Sequence, residues 1–437
     1  MNRSHCFIVA ALVCCACGEA ANDTTTAPSN PNSNTGGTTA AAGGAAGTAT
    51  GGNGSLAGGS GGAPAGGEGG ADGGTGGGQG GSVAAGGSAG TSAAGGDSGG
   101  ADGFTDPGSE GDGSFTISPP YTSDPANEYA GAPTGEQFSF EMSSADSVIY
   151  PGDRGDYTRT VWVYVPPGYV PGTAAPIIVV QDGSWAIWHG SNVPHEVDLQ
   201  APNLPGTANL PRILDNLIAA GQLPKIVAIF PDNGGGDGGD SQRGLEYDTV
   251  SGVFAEYVDS EVLPRAISEA QTQLGLDLQF TSDPRGRATL GGSSGGAGSF
   301  SMAWWHPDLF GLVISYSGTF VRQASPEDPL FPHGAWSYHD FDPWNEAMPN
   351  GVIMQTEPLI PIRVWLEVGE NDMGNGGGPD SYRDFPLANQ RMAASLETKG
   401  YHYHFDYAEG AGHVDGGVVP QTLPQALLWA FRGHPLD

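Results

Sequence analysis

The sequence predicts an α/β fold, a mostly parallel sheet with helices on both faces, preceded by a disordered Gly-rich tether. Two observations carry this expectation. From Gln137 on, short apolar runs alternate with stretches of helical periodicity, the order that builds parallel sheets through helical crossovers. Before about residue 115 the chain is Gly, Ala, Ser and Thr with scattered acids and almost no aromatics. That composition buries too little apolar surface to offset the entropy of ordering a chain.

Residues 1–17 read as an export signal. Arg3 supplies a positive charge, and Phe7 to Ala16 is an apolar stretch too short to span a bilayer. Ala16-Cys17-Gly18 resembles a bacterial lipoprotein cleavage site, with Cys17 the residue to be lipidated. Such sites carry Leu three residues upstream, where Cys14 stands here; counting from Leu12 would select Cys15 instead. All four cysteines, Cys6, Cys14, Cys15 and Cys17, lie in this segment. The rest of the chain therefore has no disulfide, thiolate metal site or cysteine nucleophile. Residues 18–114 form the tether, which as a flexible coil spans on the order of 50 Å. Residues 115–136 are a short pre-domain segment richer in aromatics and prolines, and residues 137–437 are the folded domain.

Acidic residues number 48 against 15 basic ones, a net charge of -33. Such a chain is repelled by phosphate backbones and anionic head groups, which excludes nucleic acid as a partner and leaves membrane contact to the lipid anchor.

Within the domain, apolar runs mark strands at 137–142, 159–165, 177–181, 226–231, 287–291, 312–317, 363–368 and 402–407. The first two are joined by a loop and are expected to pair antiparallel at one edge. Helical patterns cover 210–220, with Pro211 near the start and Gly221 past the end, then 249–263, 382–399 and 423–432.

The 287–291 strand runs into Gly291-Gly292-Ser293-Ser294-Gly295-Gly296 and then a helical stretch to Trp305. Strand, tight turn and helix are the setting of the G-x-S-x-G nucleophile elbow of α/β hydrolases. Two frames fit. Ser293 is preferred over Ser294 because it stands directly off the strand end and leaves Gly295-Gly296 for helix–sheet packing. A serine hydroxyl needs a base, which in this fold follows the last strand. His413, on the Gly-lined loop after 402–407, fits; His402 and His404 alternate with aromatics and belong to a sheet face. The acid that orients it is expected after the 363–368 strand, at Asp372 in preference to Glu370. Oxyanion donors are expected from the N–H of Ser294 and from the Asp182-Gly183-Ser184 loop, with Gly183 the donor, while Trp185 and Trp188 follow as pocket or core residues.

The domain resembles the bacterial esterases of the enterochelin-esterase type, in the esterase-D-like branch of α/β hydrolases. The residues that carry the resemblance are Val165-Pro166-Pro167-Gly168-Tyr169, Val179-Val180-Gln181-Asp182-Gly183, Arg243 with Glu246-Tyr247-Asp248, the elbow after Arg287-Ala288, Gly369-Glu370-Asn371-Asp372 and Gly412-His413. The resemblance implies Ser293 as nucleophile and places Arg243, Glu246 and Tyr247 near a substrate pocket, beside Trp185. It implies hydrolysis of a small-molecule or carbohydrate-linked ester, siderophore, feruloyl or acetyl-carbohydrate, with no cofactor and no metal. The Gly-rich loop 233–240 departs from the family, and its acids Asp232, Asp237 and Asp240 match no standard Ca²⁺ spacing. The competing expectations are a non-catalytic polysaccharide-binding module and a serine peptidase of the same fold.

Overall fold

The computed structural model describes residues 104–191, 201–235, 241–340 and 351–436. The signal segment with Cys17, the tether up to residue 103, and Asp237 and Asp240 lie outside the described residues.

The strands are β1 (Gly113–Ile117), β2 (Glu136–Ser143), β3 (Thr158–Val165), β4 (Ala174–Ala175), β5 (Ile177–Val180), β6 (Val227–Pro231), β7 (Gln279–Phe280), β8 (Arg287–Gly292), β9 (Leu312–Tyr316), β10 (Arg363–Gly369) and β11 (His402–Ala408). The helices are α1 (Ala186–His189), α2 (Leu210–Ala219), α3 (Gln242–Tyr247), α4 (Val253–Tyr257), α5 (Leu263–Leu274), α6 (Ser294–Trp305), α7 (Val352–Gln355), α8 (Phe385–Lys399) and α9 (Val418–Ala430). Nine strands form one sheet in the order β1-β11-β10-β9-β8-β5-β6-β3-β2, while β4 and β7 make a two-residue ribbon. Pairing is parallel from β1 to β6 and antiparallel at β6–β3 and β3–β2, as the loop between the first two predicted strands requires. This is the mostly parallel, helix-covered α/β-hydrolase architecture that the alternating pattern predicts.

Alternation along the strands divides the core. Val161, Val163 and Val165 of β3 enter one apolar layer with Phe254, Phe300 and Met392 from α4, α6 and α8. Trp162 and Tyr164 enter the other, with Leu214 of α2 and Leu423 and Leu427 of α9. The carboxyl ends of β5, β8, β9, β10 and β11 therefore share one edge, where the loops that follow them meet.

Three boundaries differ from expectation. The sheet begins at β1, so residues 115–136 belong to the fold rather than preceding it. Five strand residues in a Gly-rich context give little periodicity, but His402 Nδ1 meets Asp112 at 2.7 Å, His404 Nδ1 meets the Gly111 carbonyl at 2.7 Å, and Phe115 stacks on His404. The predicted helix at 249–263 instead starts at Val253, passes through a π-helical turn at Val258–Val262 and continues as α5. Helix α9 starts at Val418, five residues early, and holds Pro424 inside it. Pro424 has no N–H for the Pro420 carbonyl, and the Asp124 N–H donates to that carbonyl at 3.0 Å instead.

Candidate active site

Ser293 sits between β8 and α6 with φ 59° and ψ −128°, a strained backbone for a residue with a side chain. Its neighbours explain the spacing of glycines around it. A Cβ on Gly291 would lie 2.3 Å from the Gly295 carbonyl oxygen, and one on Gly296 would lie 2.6 Å from Ser315 Oγ. Ser293 is half-buried, whereas Ser294 is fully buried and its hydroxyl accepts from Gln323 Nε2 at 3.2 Å. Gln323 also donates to Asp248 at 2.8 Å, and burial raises the pKa of that carboxyl. Of the two serines, Ser293 is the one that keeps solvent exposure.

His413 Nδ1 lies 2.6 Å from Asp372 Oδ1, with the carboxylate wholly buried and the imidazole about 23% exposed. The Met373 N–H also donates to that oxygen at 2.6 Å, and Phe385 stands edge-on to the ring at 5.2 Å. An Nδ1–H donated to a carboxylate leaves the Nε2 lone pair as the basic site. The loop is held from below, where Asp415 accepts from the Gly412 and Gly417 N–H groups at 3.0 and 2.7 Å. Glu370 accepts from the Gly410 N–H at 2.8 Å, so it braces this loop rather than the imidazole.

The His413 loop and the elbow are in contact. A Cβ on Gly292 would lie 3.1 Å from both the Val414 side chain and the Trp185 ring. The Val414 N–H donates to Ser317 Oγ at 2.9 Å, and the Ser293 N–H donates to the carbonyl of the preceding Tyr316 at 3.0 Å. Ser293 Oγ itself lies 3.4 Å from Thr319 Oγ1 and makes no hydrogen bond to His413. Beside this loop a groove of about 440 Å³ is lined by Tyr121, Asn203, Gly206, Gly416 and Gly417 among others.

The oxyanion side differs from expectation. Gly183 donates its N–H to the Pro231 carbonyl at 2.9 Å, and a Cβ there would lie 2.3 Å from the Phe230 oxygen. Its glycine allows the loop to press against β6, and its donor is already used. The Asp182 N–H, at φ 53°, donates to the Tyr247 hydroxyl at a longer 3.2 Å. The N–H of Ser294, at the first position of α6, has no carbonyl one turn back within its helix.

The residues expected at a substrate pocket separate into two groups. Trp185 is about 38% exposed and lies against the elbow, while Trp188 is fully buried in the core. Arg243 holds both oxygens of Asp182 at 2.7 Å, with Asn233 Nδ2 on Oδ1 at 2.9 Å. Glu246 and Tyr247 are buried and engaged within the protein. Glu246 is buried in an ion pair with Arg159 and accepts from Gln242, and Tyr247 is buried under the Asp182 turn. The Glu-Tyr pair follows Arg243 on α3, whose inner face these two side chains fill.

Two residues escaped the sequence reading. Thr319 lies beyond a strand end in Ser317-Gly318-Thr319, a turn without a recognised pattern. Glu367 interrupts the apolar β10 run, both its oxygens are buried without a partner, and burial, with Asp372, Asp406 and Asp415 nearby, holds its pKa well above the usual carboxylate range. Among the described residues no group of three His, Cys, Asp or Glu side chains converges as metal ligands.

Residues 155–428 match the family described as "Putative esterase". The chain belongs to this esterase family. Similar solved structures include the enterobactin esterase of Shigella flexneri, at 18% identity, covering 70% of this chain and 62% of that one, with a TM-score of 0.44. A ferulic acid esterase of Anaeromyces mucronatus is 16% identical over 72% of this chain and 97% of its own, with a TM-score of 0.46. The ferric enterobactin esterase of Salmonella typhimurium is 20% identical over 69% and 60%, with a TM-score of 0.43. The chain spans about 62% of the Shigella enzyme's length. No curated protein matches the chain.

Proposed function

We propose that the protein is a serine carboxylic ester hydrolase working through an acyl-enzyme. The observation that carries this reading is the contact between two pre-arranged parts. One is Ser293 at positive φ at the start of α6, and the other is the His413–Asp372 pair at 2.6 Å on the adjoining loop. Membership of the esterase family supports it.

In this reading Ser293 Oγ bonds the ester carbonyl carbon as its proton passes to His413 Nε2. The carbonyl π pair moves onto oxygen, which the Ser294 N–H and the field of the α6 N-terminus stabilise. Collapse expels the alcohol, which takes the proton from His413, and water repeats the sequence to release the acid. Asp372 keeps the imidazole in the tautomer that leaves Nε2 basic. The substrates to test are feruloyl, acetyl-carbohydrate and catecholate-siderophore esters, since the family resemblance names these classes and no contact singles one out. The same reading has residues 1–17 direct export, Cys17 carry a lipid and residues 18–114 tether the domain; loss of lipid labelling in Cys17→Ser tests that part.

The purified protein is assayed with a short p-nitrophenyl ester and then with the ester panel. Hydrolysis that disappears in His413→Ala supports the reading; no turnover of any ester by the parent protein contradicts it.

A further inference from the structure

Thr319 is 2% exposed, and its hydroxyl lies 3.4 Å from Ser293 Oγ. Among the described residues neither hydroxyl has another hydrogen-bond partner. A hydroxyl carries one proton, and a buried one left without an acceptor is costly. Ser293 Oγ is the polar atom within reach of Thr319 Oγ1; either oxygen can donate, and in one of the two directions the Thr319 O–H donates to Ser293 Oγ. That direction leaves the Ser293 proton free to move to a base.

The contact is built rather than incidental. The Thr319 N–H donates to the Ser293 carbonyl at 3.0 Å, and the Ser293 N–H to Tyr316 at 3.0 Å. The turn between them is fixed from two further sides: the Ser317 N–H donates to the Glu367 carbonyl at 2.8 Å, and Asn389 Nδ2 to the Gly318 carbonyl at 3.0 Å. A Cβ on Gly318 would lie 2.4 Å from the Phe320 ring, so the turn has no slack on that side either. The backbone that carries the two hydroxyls is therefore fixed on both sides of the contact.

We propose that Thr319 is a further catalytic residue, whose hydroxyl donates to Ser293 Oγ and stabilises the charge on that oxygen each time it forms or breaks its bond to the acyl carbon. The proposal rests on the serine hydrolase reading above. During acylation Ser293 Oγ gives its proton to His413 and gains partial negative charge before the bond to carbon is complete. During deacylation the acyl–oxygen bond breaks, the bonding pair returns to Oγ, and Oγ recovers a proton from His413. In both halves Thr319 keeps its own proton, and its hydrogen bond strengthens as Oγ becomes charged. Between them Oγ is an ester oxygen, a weak acceptor, and the bond relaxes. The stabilisation therefore falls on the two transition states rather than on bound substrate.

Thr319→Val keeps the side-chain shape and removes the hydroxyl. In an active parent protein it is expected to lower both the p-nitrophenol burst rate and the steady-state kcat by about 10- to 100-fold, with KM changed by less than about twofold. Thr319→Ser is expected to restore both rates to within about threefold. Should the valine variant not fold, Thr319→Ser and Thr319→Ala form a pair that both lack the methyl and differ only in the hydroxyl. A valine or alanine variant that turns over as fast as its hydroxyl-bearing counterpart overturns the proposal while leaving the serine reading intact. A parent protein with no burst and no turnover overturns both.

Discussion

The two sides of the elbow are prepared to different degrees. On the β10–β11 side the relay is assembled: His413 already bonds Asp372, and the loop is braced by Asp415, Glu370 and Ser317. On the β5–β6 side the loop that should supply an oxyanion donor has its amides occupied, Gly183 by Pro231 and Asp182 by Tyr247. The difference follows from what each side must hold. The relay stores one charged hydrogen bond that survives without substrate. On the β5–β6 side the buried amides bond within the protein rather than stay unpaired. Of the two, the Asp182 amide makes the longer bond, 3.2 Å against 2.9 Å for Gly183.

The comparison breaks first at Asp372. If the relay side works through the imidazole tautomer, Asp372→Asn should lower kcat by roughly 10³- to 10⁴-fold with the fold intact. A loss under tenfold would show that the assembled pair is structural. The other side is sharpened by Arg243. Its two bonds to Asp182 fix the turn that presents the Asp182 amide, and both side chains are mostly buried. Arg243→Met leaves that carboxylate unpaired and is expected to destabilise the protein by about 3 kcal/mol. It should also lower kcat by about tenfold, read in urea titrations and in turnover below the unfolding range. Unchanged kcat with reduced stability would place Arg243 in the scaffold alone.

The smallest effect concerns Glu367 beneath the relay. In the unfolded chain it ionises near 4.5, whereas in the fold burial first, and Asp372, Asp406 and Asp415 next, keep it protonated to higher pH. Above 4.5 the folded state therefore binds more protons than the unfolded state, and this group's contribution to stability falls as pH rises through its folded pKa. Glu367→Gln, neutral throughout, removes that slope. The variant should have a higher urea midpoint than the parent at mildly alkaline pH and an equal one below about pH 4.5. Parallel pH dependences would show that Glu367 is not held protonated.

How much of this was legible in the sequence depends on the kind of signal. Alternation and elbow spacing are local, and they predicted the β5, β8, β9, β10 and β11 strands and the turn at Ser293. Strand β1 was not legible, because it is held by His402 and His404 some 290 residues away. The roles of Gly183, Glu246 and Tyr247 were hidden for a related reason. A motif says which residues recur near a site, not whether an N–H points at substrate or at the next strand. Thr319 carried no motif, and only the return of β9 beside the elbow brings it to Ser293. A search of every strand end on the carboxyl edge for hydroxyl residues would have raised it.

The central claim, that Ser293 is the nucleophile, is tested most directly by a fluorophosphonate probe with the modified peptide located by mass spectrometry. The account predicts one adduct, on Ser293, in the parent protein and in Ser294→Ala, and none in Ser293→Ala. An adduct on Ser294, or no adduct in a folded parent protein, would contradict it.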